Sequence, residues 1–325
     1  MKRNLDALDA LKGVAALAIA FYAWSGFTIW AGSAFVGQFY LFIDFFFVFT
    51  GFLLAEVYRD NLATKGDLGR FAVLRLARLY PIHLFFILLL AGIELMKLIY
   101  AALGAEQVGS PAFGAEHLSL EGLAANLTLT QAFGWVANPG WNEPSWYVAI
   151  EFWVSLAFAG LCLIGAMRSA IGRSVLGVAV IASLIWMVAT TTDLGEAHPL
   201  IRGVYAFGVG AAAHSVLRMP RLDRMIAAFR GRFGGLLEVT ALVLVCLYLN
   251  GSQGGSSFAA PIVFAALIFV FADGRGAVSN MLRGGVFRVV GKFSNSIYMS
   301  HFLFIMPMRN IVEAASGDSA VIVAS

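Results

Sequence analysis

Long apolar stretches are the feature that most constrains this chain. Nine of them reach or approach the roughly 20 residues that a helix needs to cross a bilayer. They cover 11–31, 37–57, 80–101, 145–167, 174–191, 200–217, 236–250, 257–273 and 293–314. Hydrophobic residues make up 60% of the 325 positions and charged residues 13%, a composition that a water-soluble fold could not bury. We therefore predict an all-α, polytopic transmembrane bundle of about nine or ten helices, forming a single domain over 1–325 with no separate soluble domain.

The positions of the basic residues predict the orientation of the bundle. With the N-terminus in the cytoplasm, 19 of the 22 lysines and arginines fall on the cytoplasmic side, where positive charge concentrates in short loops. The exceptions, at outer helix ends, are Lys97, Arg202 and Arg309. Such side chains often snorkel to the interface; the alternative for Arg202 and Arg309 is that they face an external substrate. The apolar residues 320–324 leave a tenth helix open, and no removable signal peptide is expected.

Ionisable residues inside the predicted spans are the best sequence guide to function, because lipid tolerates them only when they are paired, cavity-facing or functional. Asp44 has no basic partner in its own helix and is expected to find one on another helix or to line a wet cavity. Glu151 is in a similar position. Glu94 and Lys97 are expected to form a local ion pair. His301 ends a hydroxyl-rich stretch and either packs helices together or has a functional role.

Two segments outside the spans carry further information. In the predicted loop over 58–79, Arg75 and Arg78 are nearly one helical turn apart, so their guanidinium groups can share a face and bind phosphate oxygens. Ordinary positive-inside charge or contact with anionic lipid is the alternative. The long external segment over about 102–144 has an apolar middle, 120–133, predicted to lie along the interface or re-enter the protein. No disulfide is expected, because the two cysteines, Cys162 and Cys246, both fall within apolar runs. No metal is expected, because there are no Cys/His pairs at zinc-ligand spacing.

Five motifs in this order resemble the acyltransferase-3 family of bacterial integral-membrane O-acyltransferases. They are Leu5–Leu17, Phe42–Phe52, Arg75–Pro81, Pro144–Glu151 and Ser296–His301. Each motif is weak alone, but together they cover nearly the whole chain. The resemblance implies transfer of an acyl group, usually acetyl from cytoplasmic acetyl-CoA, to a hydroxyl of a cell-envelope or exported glycan. It implies a multi-pass protein of the bacterial inner membrane whose partners are membrane lipids and a glycan acceptor, without nucleic acid.

The resemblance also implies roles for individual positions. Donor binding is expected at Lys12, Arg75, Arg78 and Tyr80, with the basic 218–232 segment as a further contributor. Acceptor binding is expected at Ser145, Trp146 and Glu151. The catalytic positions are expected to be residue 23, Asp44 and His301, with Asp44 orienting a histidine base at position 23.

This chain departs from the family pattern at two positions. Lys12 stands where the family has arginine. Lysine keeps the positive charge but cannot make the bidentate hydrogen bonds of a guanidinium group. Ala23 stands where the family has its expected histidine base. We favour the interpretation that the chain is an inactive variant of a natural protein with histidine at position 23. The alternatives are that His301 or Asp44 serves as the base, or that the protein has lost catalysis.

Two other classes of function fit the intramembrane charges. A proton-coupled transporter or a flippase would also space Asp, Glu and His through the bilayer, although the inverted repeats typical of such proteins are not evident. A non-catalytic glycan-binding subunit would account for Ala23. A stoichiometric requirement for acyl-CoA separates an acyltransferase from both.

Overall fold

The computed structural model describes residues 5–104, 112–113, 118–136, 140–272, 274 and 276–316; the side chains of 220–232 and 306–316 lie outside the description. All the regular elements of this described part are helices, which confirms the predicted fold class. The α-helices are α1 Asp6–Ser25, α2 Ala34–Gly37, α3 Phe42–Tyr58, α4 Lys65–Ala102, α5 Leu120–Leu127, α6 Trp146–Leu163, α7 Ala170–Thr190, α8 Pro199–Leu217, α9 Pro220–Gly251, α10 Ala260–Phe271, α11 Ala277–Leu282, α12 Gly285–Lys292 and α13 Ser294–Ser316.

Eight helical segments of the described part are long and apolar enough to cross a membrane, and they correspond to the first eight predicted spans. The ninth predicted span is also helical, as α13. The possible tenth, over 320–324, lies outside the described residues. Helix α7 turns large apolar side chains outward, among them Ile171, Val178 and Ile185. An exposed apolar face of this size fits contact with lipid, so the protein is a multi-pass membrane protein.

Helix α1 begins earlier than predicted. It starts at Asp6 rather than at residue 11 and ends at Ser25. Ala7, Leu8 and Ala10 favour helix strongly, and acidic Asp6 complements the positive end of the helix dipole. Ala23 consequently lies in the last turn, about 25 Å along the helix axis from Asp6 at 1.5 Å per residue. A helix that began at residue 11 would place Ala23 only about 18 Å from its start.

The predicted loop over 58–79 is mostly helical, because α4 begins at Lys65. Thr64 caps it: its hydroxyl accepts from the Asp67 backbone N–H, and Asp67 accepts from the Thr64 N–H at 2.9 Å. This reciprocal capping box is a start signal that the sequence analysis did not use. Arg75 and Arg78 therefore lie on a helix of about 57 Å, which contains Pro81, rather than in a loop.

The centre of the bundle is the tight packing of α3 against α8. Gly51 and Gly210 let the two backbones approach, since a Cβ on Gly51 would overlap the carbonyl of Phe207, and one on Gly210 would overlap the carbonyl of Val48. Small residues commonly allow such close approach between membrane helices. This contact fixes Asp44 of α3 beside the N-terminal half of α8.

We expect Gly210→Ala to lower the free energy of unfolding by about 1–3 kcal/mol, because the added methyl group meets backbone that cannot move aside. The matched control is Gly92→Ala in α4, where a Cβ would meet nothing within 4 Å. Alanine in that helix should be neutral or stabilising by up to about 1 kcal/mol. Thermal unfolding in detergent measures both; equal effects would contradict the close-packing argument.

The described part of the external segment packs on the bundle by one face, with Leu120 and Leu127 exposed; whether it lies along the interface or re-enters stays a prediction. Asn126, Gln131 and Ser145 are buried. Gln131 Nε2 donates to Ser145 Oγ at 2.9 Å, and Ser145 Oγ donates to Asn126 Oδ1 at 3.0 Å. The network joins α4 through His83 Nε2, 2.9 Å from the Asn126 carbonyl oxygen. Buried polar groups need such partners, so these hydrogen bonds attach the segment to the bundle.

Candidate active site

A cavity of about 520 Å³ lies at the C-terminal end of α1, which is the outer end in the predicted orientation. It is bounded by α1, the segment 26–37, the start of α3, residues 143–146 and α13. Three predicted site residues line it together: Ala23, Trp146 and His301. They are far apart in sequence, so their meeting at one cavity supports the choice of these positions.

The walls of the cavity are largely aromatic. Tyr22 and Tyr40 line it with ring centroids 6.1 Å apart, and Tyr298 contributes a third phenol ring. Glu143, an exposed carboxylate, lies at the same cavity. Sequence analysis did not select Tyr22, Tyr40 or Glu143. The position of Glu143 directly before the Pro144–Glu151 motif was the available signal.

Asp44 forms a buried ion pair with Arg202. Arg202 Nε donates to Asp44 Oδ1 at 3.0 Å, and Nη2 donates to Oδ2 at 2.7 Å. Asp44 is 0% exposed and Arg202 3%. The interhelix partner expected for Asp44 is therefore present. Arg202 does not snorkel to the interface as predicted, because the Asp44 carboxylate accepts two hydrogen bonds from its guanidinium group inside the protein.

Arg202 also supports two walls of the cavity. Its guanidinium carbon lies 5.5 Å from the Tyr40 ring centroid and 5.7 Å from that of Trp146. Cations over aromatic faces are attracted by the ring quadrupole. The Tyr40 hydroxyl in turn donates to Asp193 at 2.5 Å. The Asp44–Arg202 pair thus lies behind the cavity wall, and Asp44 itself is not a lining residue.

A second cluster of predicted site residues lies nearer the N-terminal end of α1. Lys12 is buried with its Nζ 5.2 Å from the Phe49 ring centroid. It interacts electrostatically with Arg75 and Arg78 of α4 and with Asp9. Arg78 is exposed, whereas Arg75 is buried. The tertiary structure therefore groups three of the four predicted donor-binding residues, and we call Lys12, Arg75 and Arg78 the basic cluster.

Glu151 belongs with the basic cluster rather than with the outer cavity, where its predicted acceptor role would place it. Its Oε1 lies 3.4 Å from Arg75 Nη1 and accepts from the Thr50 hydroxyl at 3.1 Å. The physical reason is charge: a buried carboxylate is retained beside a cation and a hydroxyl donor, although Glu151 Oε2 is itself buried without a hydrogen-bond partner among the described residues. Arg75 Nη2 is buried without a hydrogen-bond partner among the described residues.

Tyr80 and Ser145 make hydrogen bonds to the external segment. The Tyr80 hydroxyl donates to the Leu127 carbonyl at 2.9 Å. Ser145 is fully buried in its network with Asn126 and Gln131 and does not line the cavity. Their predicted roles in donor and acceptor binding remain predictions, while their observed contacts are structural.

The remaining predicted charges are accounted for in part. Lys97 Nζ lies 2.6 Å from Glu94 Oε1, which confirms the local ion pair. His214 is buried with its Nε2 2.9 Å from Glu56 Oε2. The side chain of Arg309 and those of the 220–232 part of the basic segment lie outside the described residues.

The two groups of residues are separated along α1. Lys12 and Ala23 are eleven positions apart in the sequence, or about 16 Å of helical rise. A charged cluster at one depth and a cavity at another suit a long substrate whose anionic and reactive ends are well separated.

These features define a polytopic helical membrane protein with a cavity at the C-terminal end of α1 and a basic cluster nearer its N-terminal end. The chain belongs to the acyltransferase-3 family, whose model, described as an acyltransferase domain, matches residues 5–324. The predicted family is thereby confirmed, and the chain is a membrane acyltransferase of this family. Comparison with curated proteins and with solved structures gives no match.

Proposed function

We propose that the protein transfers a short acyl group, acetyl in the first instance, from cytoplasmic acyl-CoA to a hydroxyl of a cell-envelope or exported glycan. The observation that carries the proposal is the arrangement along α1. Residue 23, Trp146 and His301 line one cavity, and the basic cluster gathers around Lys12 on the same helix. In the proposed setting, the inner membrane of a bacterium, the cluster faces the cytoplasmic donor.

The basic cluster would hold the phosphates of the donor. Arg78 is exposed and offers the first contact. Arg75 Nη2 is a buried donor without a partner in the described structure, which fits a further acceptor group such as a phosphate oxygen. Lys12 contributes a positive charge but, unlike arginine, cannot make bidentate hydrogen bonds to a phosphate group. From there the pantetheine arm would run about 16 Å along α1 toward residue 23.

The outer cavity would hold the acceptor. Tyr22, Tyr40 and Trp146 offer flat apolar faces, and Glu143 offers oxygens that can accept hydrogen bonds from sugar hydroxyls. Few polar groups on a mostly apolar wall are typical of small-molecule sites. We favour direct attack of the hydroxyl on the thioester over a covalent acyl-enzyme, because neither free cysteine is among the lining residues.

Position 23 is where the family resemblance places the base. We propose that the natural protein has histidine there and that Ala23 impairs transfer in this chain. Alanine has no side-chain group that accepts a proton. Ala23 is also the observation that favours a second function, glycan binding by a subunit that does not catalyse transfer.

Donor binding tests the proposed function. We expect Arg78→Gln to weaken acetyl-CoA binding about 10-fold to 100-fold, since a hydrogen bond to a charged group contributes about 1.5–3 kcal/mol. Isothermal titration calorimetry on the purified full chain measures the change. Arg173→Gln is the matched control, because Arg173 is another exposed arginine on the predicted cytoplasmic side, at the start of α7. Equal weakening by both variants, or no binding by the parent, would contradict the proposed donor site.

A further inference from the structure

The outer cavity keeps one imidazole even though position 23 is alanine. We propose that His301 is the general base for whatever turnover this chain retains with Ala23. The inference rests on the proposed acyl transfer and adds to it the residue that removes the proton. It is carried by the position of His301 at the cavity and by the hydrogen bond that its ring makes.

The ring of His301 is oriented by a hydrogen bond to its own helix. Its Nδ1 is hydrogen-bonded to the backbone carbonyl of Tyr298, one turn earlier on α13. A carbonyl oxygen only accepts, so Nδ1 carries the hydrogen, and Nε2 of the neutral ring is left with a lone pair. No hydrogen bond to that Nε2 is recorded within the described structure, and His301 lines the cavity. The bond that orients the ring therefore also leaves its basic nitrogen for substrate.

The competing carboxylates are less suited to this step. Asp44 has both oxygens engaged by Arg202, is fully buried and does not line the cavity. Glu143 does line it, but its side chain is exposed to solvent. Imidazole is also the side chain that most often serves as a general base.

The other titratable groups of the described cavity wall are the phenols of Tyr22, Tyr40 and Tyr298. A phenol is protonated at neutral pH, because its reference pKa is about 10. The Tyr40 hydroxyl is moreover already donating to Asp193. Tyrosine can therefore donate hydrogen bonds to a substrate here, whereas His301 can accept a proton.

The proposed step balances without further reactants. His301 Nε2 takes the proton of the acceptor hydroxyl as the oxygen attacks the thioester carbonyl carbon. The new C–O bond forms, the C–S bond breaks, and the thiolate leaves with the electron pair of that bond. The imidazolium then returns its proton to the thiolate, which releases free CoA thiol and the ester and restores the neutral ring.

The test uses the purified full chain in detergent with acetyl-CoA as donor and water as the surrogate acceptor. Release of free CoA thiol is followed with a thiol reagent. His301→Asn keeps an amide N–H that can bond to the Tyr298 carbonyl but has no basic nitrogen. We expect it to lower turnover 10²–10⁴-fold, or to the buffer rate, with acetyl-CoA binding and thermal unfolding unchanged. His301→Gln serves as a second variant if the first does not fold.

The same substitution in an Ala23→His background separates catalysis from packing. A histidine introduced at position 23 can act as base, so His301→Asn should lower turnover there by less than tenfold. An equal loss in both backgrounds would overturn the proposal in favour of a packing role. The matched control is His198→Asn, which removes an imidazole that does not line the cavity. Asparagine can still cap α8 at this position. We expect this variant to show the turnover of the parent chain.

Three further outcomes are decisive. If Glu143→Gln abolishes turnover while His301→Asn does not, a carboxylate is the base and the inference is wrong. If the parent chain releases no thiol above buffer but Ala23→His does, the inference fails and the proposed function stands. If neither form binds or cleaves acetyl-CoA, the proposed function itself fails.

Discussion

Replacing Arg202 by methionine is expected to lower the free energy of unfolding by about 3–5 kcal/mol, the cost of leaving one member of a buried ion pair unpaired. Asp44 would keep a carboxylate that is 0% exposed and has lost both of its recorded side-chain donors. Chemical unfolding in detergent, followed by tryptophan fluorescence, measures the change.

Two comparisons make this prediction specific. Removing both charges, as Asp44→Leu with Arg202→Met, should recover most of the lost stability, because apolar residues of similar volume often replace a buried pair without penalty. Arg218→Met is the matched control: Arg218 pairs with Asp60 at 3.0 Å, but both side chains are nearly half exposed. That exposed pair is expected to contribute less than about 1 kcal/mol. Equal losses for Arg202→Met and Arg218→Met would contradict the assignment.

The same substitutions, made in an Ala23→His background, bear on the role of Asp44, because the base it is predicted to orient is a histidine at position 23. If the double variant folds and still cleaves acetyl-CoA, Asp44 is a structural residue that joins α3 to α8. If it folds and loses only turnover, the predicted role of Asp44 in orienting a base gains support.

Ala23→His is expected to raise the rate of acetyl transfer or acetyl-CoA hydrolysis by 10²–10⁴-fold, the usual contribution of a positioned general base. The cavity of about 520 Å³ beside residue 23 can accommodate an imidazole ring. Ala23→Asn is the matched control, because asparagine adds a polar side chain without a basic nitrogen. Single-turnover measurements with acetyl-CoA separate the chemical step from donor binding, which should not change.

Two results would contradict this expectation. Unchanged turnover in Ala23→His, with donor bound, would show that position 23 is not where the reaction needs a base. An equal gain from Ala23→Asn would show that polarity or volume at the cavity matters rather than proton transfer.

Much of the architecture could be predicted from local sequence. Apolar length identified the spans, because a bilayer imposes the same requirement on every helix that crosses it. The five motifs identified the family. The errors fell at boundaries, such as the start of α4. The hydrophobic pattern stops there, but the helix continues back to the capping box of Thr64 and Asp67.

The candidate site could be predicted only in part. Ala23, Trp146 and His301 were chosen separately, on motifs far apart in the sequence, and the structure places all three at one cavity. Glu151 was assigned to the acceptor side because its motif begins there, yet it pairs with Arg75. A motif specifies residue types along one helix, and it does not say which neighbouring helix meets each side chain.

The sequence alone therefore determined the class of fold, the helix-forming segments and the family, since these depend on hydrophobic length and on local motifs. Only the tertiary structure decided the partners of the buried charges. Asp44 and Arg202 lie 158 positions apart, and no local pattern links them. They meet because Gly51 and Gly210 let α3 and α8 pack at close range, and a charge buried between helices must take its partner from whichever helix is adjacent.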